Sequence, residues 1–182
     1  WLEVLAFDGA RIDWKVRAAH QEPPGEQGLE PARELDDADR ARSLASIRLG
    51  TTAEDVPLGL RTGGRQIRAR TRPVADSAWW VAPVSEPPRI EDEPSGAGQG
   101  DAVELLRVLH QGQPVAGSWG RSDAVLAVGV GPDRFLLTVR DAQGDLALVT
   151  TALQLLGAQE ALLADRGVGA SAMVTRRAAD DD

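Results

Sequence analysis

Seven consecutive residues from Ala124 to Val130 carry no polar or charged side chain, and this run constrains the chain more than any other stretch. It is far shorter than the ~20 apolar residues of a membrane-spanning helix. A strand covered on both faces is the simplest structure that such a run predicts. Gly131, Pro132 and Asp133 then make a turn. Beyond it Phe135, Leu137 and Val139 alternate with Leu136, Thr138 and Arg140, the pattern of a strand with one face turning towards water. Asp141, Gln143 and Gly144 make a second turn into Leu146–Val149, read as a third strand. Turns this short join antiparallel neighbours.

Helices are expected on both sides of these strands. Asp101 followed by Glu104 has the form of a capping box, which starts a helix at about Ala102. Ala102, Leu105, Leu106 and Leu109 recur at helical spacing, Val103 and Val108 widen the stripe, and Gly112 with Pro114 ends it. After the strands, Thr151 is the expected N-cap of a helix running to Gly167, with Ala152, Leu155, Leu156, Leu162 and Leu163 on one face and Gly157 inside it at a cost of about 1 kcal/mol. Helix, three strands and helix make an α+β layer, because the stripes and the sheet face bury one another.

The first half follows a similar order. Leu2, Val4 and Ala6 on one parity and Trp1, Leu5 and Phe7 on the other predict a strand, and Asp8-Gly9 a hairpin turn into Ile12, Trp14 and Val16. His20–Ala32 reads as a loop and Leu35–Leu49 as a helix covering the sheet; Val56–Leu60, Arg65–Arg72 and Trp79–Val84 read as strands. The expected organisation is thus an N-terminal half over 1–85, a Pro-, Gly- and acid-rich linker over 86–100, a second unit over 101–177 and an acidic tail over 178–182, with the two halves possible α-β-β-β counterparts.

Charge and composition narrow the function classes. At 182 residues, with a net charge of -8 and a pI near 4.8, the chain lacks the basic surplus with which proteins neutralise nucleic acids or anionic membranes. It has no cysteine, so disulfides, zinc–thiolate sites and cysteine nucleophiles are absent, and no motif implies a cofactor or a metal. The expected location is cytoplasmic, although a chain opening at Trp1 leaves room for a signal or anchor ahead of it.

Two constellations stand out. Arg68, Arg70 and Arg72 share one face of a predicted strand; they either pair with the chain's own acids or form a docking strip for an acidic peptide or phosphate. Trp79 and Trp80, being adjacent, point to opposite faces of a strand. One ring is therefore expected in the core and the other outward, as part of an interface unless a neighbouring segment covers it. His110 is placed at a helix C-terminus and His20 at a loop edge, neither position needing catalysis. Ser118 and Ser122 lie in a turn without the G-x-S-x-G pattern of a nucleophile elbow. The acidic runs at 36–39, 91–93 and 180–182 lack the spacing of a calcium loop, and Gly129-x-Gly131 precedes a turn between strands where a dinucleotide site needs a helix.

In Leu105-Leu106-Arg107-Val108-Leu109, Ala124–Val128 and Arg134–Thr138 the chain is similar to the C-terminal half of the actinobacterial type VII secretion chaperone EspG. Over Ala102–Arg166 its order of elements resembles the small acidic type III secretion chaperones of the Tir-chaperone class. These resemblances imply a non-enzymatic protein that binds a partly extended, secreted client, often as a dimer. The nominated surface is Arg68, Arg70, Arg72, Trp79 and Trp80. The other readings are an acidic immunity or inhibitor protein and an accessory subunit of a larger assembly.

Overall fold

The structure, a computed structural model, describes residues 1–12, 14, 43, 45–47, 49, 59–62, 65–68, 75–84, 86–94, 100–116, 123–131, 135–167 and 172–174, with the backbone alone at 45, 46, 60–62, 65–68 and 172–174. It is dominated by antiparallel strands. In chain order these are β1 (Leu2–Asp8), β2 (Ala45–Ile47), β3 (Gly59–Thr62), β4 (Arg65–Arg68), β5 (Ser77–Pro83), β6 (Arg89–Glu91), β7 (Gly100–His110), β8 (Gln113–Pro114), β9 (Val125–Val130) and β10 (Phe135–Asp141). Helix α1 (Leu146–Leu155), β11 (Glu160–Arg166) and β12 (Ala172–Val174) follow. Ten strands form one sheet whose main path runs β1-β10-β9-β11-β7-β3-β4, while β12 and β2 pair separately. With a single helix described, the α+β expectation holds only in its coarser form, a sheet-rich antiparallel fold.

Strand β7 organises the sheet. Its N-terminal half is hydrogen-bonded on both edges, since Ala102–Glu104 pair with β3 on one side and β5 on the other. Its C-terminal end pairs with β11 and β8. A strand flanked in this way buries both faces, which is why Ala102–Leu109 is apolar at every spacing at once. The helix predicted over this stretch is therefore corrected to a strand. Its expected stop signals are turn residues: Gln111 and Gly112, both at positive φ, form the two-residue loop of the β7–β8 hairpin.

The second half departs from expectation in the same way. Leu146–Val149, predicted as a strand, is the first turn of α1, because Asp145 caps it with Oδ1 accepting from Leu148 N–H at 3.0 Å. The helix ends ten residues later in a Schellman motif, in which Ala158 N–H reaches Leu153 O and Gly157 N–H reaches Gln154 O. Gly157, at φ +85°, is thus the left-handed terminator and not an interior cost. Leu162 and Leu163 leave the predicted helix and enter β11, buried between β9 and β7. In the first half, Ala45–Ile47 is a strand paired with Ala172–Val174 where a helix was predicted. The predicted linker carries β6, which pairs with β5.

Side-chain alternation divides the core between the two sheet faces. On β9, Val125 and Ala127 face α1 and pack with Leu137, Val139, Val149 and Leu153. Leu126 and Val128 take the opposite face with Trp80, Val103, Leu136 and Leu162, which Phe7, Trp14, Ile47, Leu49 and Ile90 cover. There Trp14 meets Phe7 and Trp80 edge-on, with ring centroids 6.0 and 6.1 Å apart.

Candidate functional site

Gly59, Glu104 and Trp79 lie side by side in one row across β3, β7 and β5. Glu104 is 0% exposed. A carboxylate taken so far out of water is costly unless hydrogen bonds hold it. Ser77, two residues before Trp79 and so on the same face of β5, donates its hydroxyl to Glu104 Oε1 at 2.7 Å. The other oxygen lies against the bare backbone of Gly59, where an added Cβ would sit 2.9 Å from Oε2 and overlap the Trp79 indole. The row thus holds an acid in one orientation between a hydroxyl and an aromatic wall. Such a group is placed to give or accept a proton at a fixed point.

A second acid belongs to the same end of the sheet. Leu162 of β11 pairs with Arg107 of β7. From that pairing Glu104 lies three residues back along β7 and Asp165 three residues on along the antiparallel β11, so the register carries both in the same direction. Asp165 is 2% exposed and sits opposite Leu126, just after a β-bulge and just before the chain leaves the strand at Gly167. The third acid withdrawn from water, Asp141, acts locally, its Oδ2 accepting from Asp145 N–H at 2.8 Å in the turn leading to α1.

Further along β7 the charged groups form a chain. Arg107 lies 2.5 Å from Asp92 and 3.3 Å from Glu160, and Glu160 lies 2.8 Å from His110 Nδ1. Glu160 Oε1 also accepts from Gln111 N–H at 3.1 Å, which ties the β7–β8 turn to β11. His110 therefore ends a strand and not a helix. The hydrogen bond from Arg107, helped by its charge, holds the Asp92 carboxyl below the usual carboxylate range. The ionised form is thereby favoured in the folded chain, so this stabilisation is complete above the unfolded carboxylate value and is lost as pH falls through the lowered one. Because the Asp92 side chain is 80% exposed, solvent screening keeps the contribution under about 1 kcal/mol. Melting curves collected from neutral to acid pH are expected to show a shallower acid loss in Asp92→Asn than in the parent; superimposable profiles would deny the pair any role.

Both nominated tryptophans are buried, Trp79 at 6% and Trp80 at 4% exposure, which corrects the expectation of an outward ring. They do occupy opposite faces, but each face is covered: Trp80 joins the main core, and Trp79 packs with Val81 and Ala102 beside the β3 backbone. Arg68 lies in β4 with its side chain outside the described residues, and Arg70, Arg72, His20, Ser118 and Ser122 fall outside them entirely. Glu104 and Asp165 were not singled out from sequence, the first being taken for a helix cap and the second lying inside a predicted helix. The signal available was a lone acid in an otherwise apolar run: Glu104 within Ala102–Leu106, and Asp165 after Ala161–Ala164 and ahead of Arg-Gly-Val-Gly. Among the described residues no group of three acids or histidines could hold a metal ion, and no helix is long and apolar enough to cross a membrane.

Comparison with solved structures bears on this geometry. The fold is shared with a glycosidase catalytic domain. The zebrafish N-acetylglucosamine-1-phosphodiester alpha-N-acetylglucosaminidase catalytic domain, auto-inhibited by its pro-peptide, superimposes with a TM-score of 0.56 at 13% identity, over 72% of this chain and 53% of that one. A hypothetical protein from Synechocystis superimposes with a TM-score of 0.54 at 13% identity, over 95% of this chain and 55% of that one. This chain spans about half the length of each. No protein-family model and no curated protein matches it. At such identity the likeness concerns fold alone, and neither neighbour bears on the secretion-chaperone resemblance.

Proposed function

We propose that this chain is a hydrolase acting on a sugar joined through its anomeric carbon to a phosphodiester, with Glu104 and Asp165 as its working carboxylates. The observation that carries this reading is Glu104, an acid wholly withdrawn from water and held by Ser77 and Trp79, in a fold shared with a glycosidase domain. Buried acids held in a specific orientation concentrate at functional sites. Glycosidic bonds are commonly opened by two carboxyl groups, one protonating the leaving oxygen while the other serves the incoming water or the anomeric carbon. The products here would be a free sugar and a phosphomonoester, with water supplying the new oxygen on the sugar.

The purified chain, given a panel of sugar-1-phosphodiesters including the N-acetylglucosamine compound, is expected to release free sugar, read by chromatography. Glu104→Gln and Asp165→Asn should each slow release by about 10²- to 10⁴-fold while the circular dichroism spectrum stays as in the parent. No release from any member of the panel, or parental rates in both variants, would defeat the proposal.

A protein-contact role is the second reading. Its tryptophan anchors are lost to the core, but an exposed apolar face on α1, at Leu148, Leu155 and Leu156, favours contact with a protein surface.

A further inference from the structure

Seven large hydrophobic side chains stand exposed among the described residues, and five of them, Val4, Phe135, Leu148, Leu155 and Leu156, gather on the α1 side of the sheet. Val4 sits opposite Val139, and Phe135 is in phase with Leu137 and Val139 on β10; both of those residues pack beneath α1. The helix covers β9 and β10 but leaves β1 bare on this face. One flank of α1 is tied down where the Gln154 amide donates to Gly112 O at 2.7 Å. Leu156 lies on the opposite flank, towards β10 and β1, which joins helix and strand residues into one apolar surface. The ten residues of α1 include no charged side chain, and the nearby Glu3–Arg140 pair belongs to the other face of the sheet.

We infer that this face is the contact between two copies of the chain, related by a two-fold axis. Charge argues for this occupant. Each copy carries a net charge of -8, so two copies repel unless they meet where neither presents charge, and a partner recognised by charge finds nothing to bind here. Symmetry argues for it as well. An isologous antiparallel pairing of α1 with its mate sets Leu148 against Leu155 of the partner subunit and the reverse, with the smaller Thr151 and Ala152 at the axis where the two backbones approach. The helix is ~15 Å long. Together with the β1 flank it would bury roughly 500 Å² per copy, at the low end of specific interfaces. The dimer is accordingly weak and concentration-dependent, and it tightens as salt screens the mutual repulsion. It is independent of the hydrolase reading.

Sedimentation velocity over about 1 to 300 μM, at low and at moderate salt, tests it. The parent is expected to pass from monomer to dimer with a dissociation constant of tens of μM, on the order of 10⁻⁵ M, lower at the higher salt. Leu155→Glu and Leu148→Glu should each weaken association at least about tenfold with unchanged melting temperature, as one buried charge per copy would. Val84→Glu, at the exposed hydrophobic residue away from this face, should associate like the parent. A monomer throughout the range, a dimer indifferent to Leu155→Glu, or association that weakens with salt would overturn the inference. So would a monomer carrying a different protein that Leu155→Glu releases.

Discussion

Gly59→Ala is expected to lower the unfolding free energy by about 1–3 kcal/mol and to remove activity more completely than its size suggests. The backbone at Gly59 does not need glycine for its dihedrals; it needs the missing Cβ for space. That carbon would overlap Trp79 Cη2 and stand 2.8 Å from Cζ2 and 2.9 Å from Glu104 Oε2. Neither neighbour can swing away at little cost, since Trp79 is packed with Val81 and Ala102, and Glu104 is bound to Ser77. The strain must therefore move β3 off β7 or push the indole and carboxylate out of register. Urea denaturation followed by tryptophan emission reads both effects, as an earlier midpoint and as a shifted native spectrum. A variant with parental midpoint and spectrum would mean that the row is looser than the geometry requires.

The larger loss of stability is expected from Leu153→Ala, about 2–5 kcal/mol. Leu153 is fully buried and leans on the bare Gly129 of β9, its Cδ2 3.1 Å from where a Cβ would be. Truncation opens a hole between helix and sheet. Collapse into it is hindered at both helix ends, by the Asp145 cap at one and by the Schellman closure at Gly157 with Gln159 N–H on Val130 O at the other. Leu155→Ala, two residues on but 84% exposed, is the internal control and should stay within about 0.5 kcal/mol of the parent. Equal losses in the two variants would contradict the assignment of the buried face of α1.

The strands that can be read from sequence are those whose pattern is local. β1, β9 and β10 announce themselves through alternation or through an apolar run bounded by turns, and β5 through Trp79–Val84. β7 and β11 cannot be read in the same way. Where a strand is covered on both faces, every position is apolar, and such a run satisfies helical spacing as well as strand spacing. At β7 the coincidence was completed by Asp101 and Glu104, which imitate a capping box, and by Gly112 and Pro114, which imitate a helix stop.

The candidate site was hidden for a related reason. Glu104 acquires its setting from Gly59 and Ser77, which reach it only because β3 and β5 flank the same stretch of β7. No spacing in the chain encodes that meeting. The alternation of Trp79 and Trp80 onto opposite faces was set by the strand itself, because successive side chains of any extended backbone point apart. Their burial was not, since it depends on what packs over each face. Local residue order therefore suffices for the acidic balance, the absence of thiol chemistry, the outer strands and their turns. Which apolar runs are central strands, which acids are buried and which tryptophans are covered emerge only on folding, because burial belongs to pairs of distant segments and no single segment carries it.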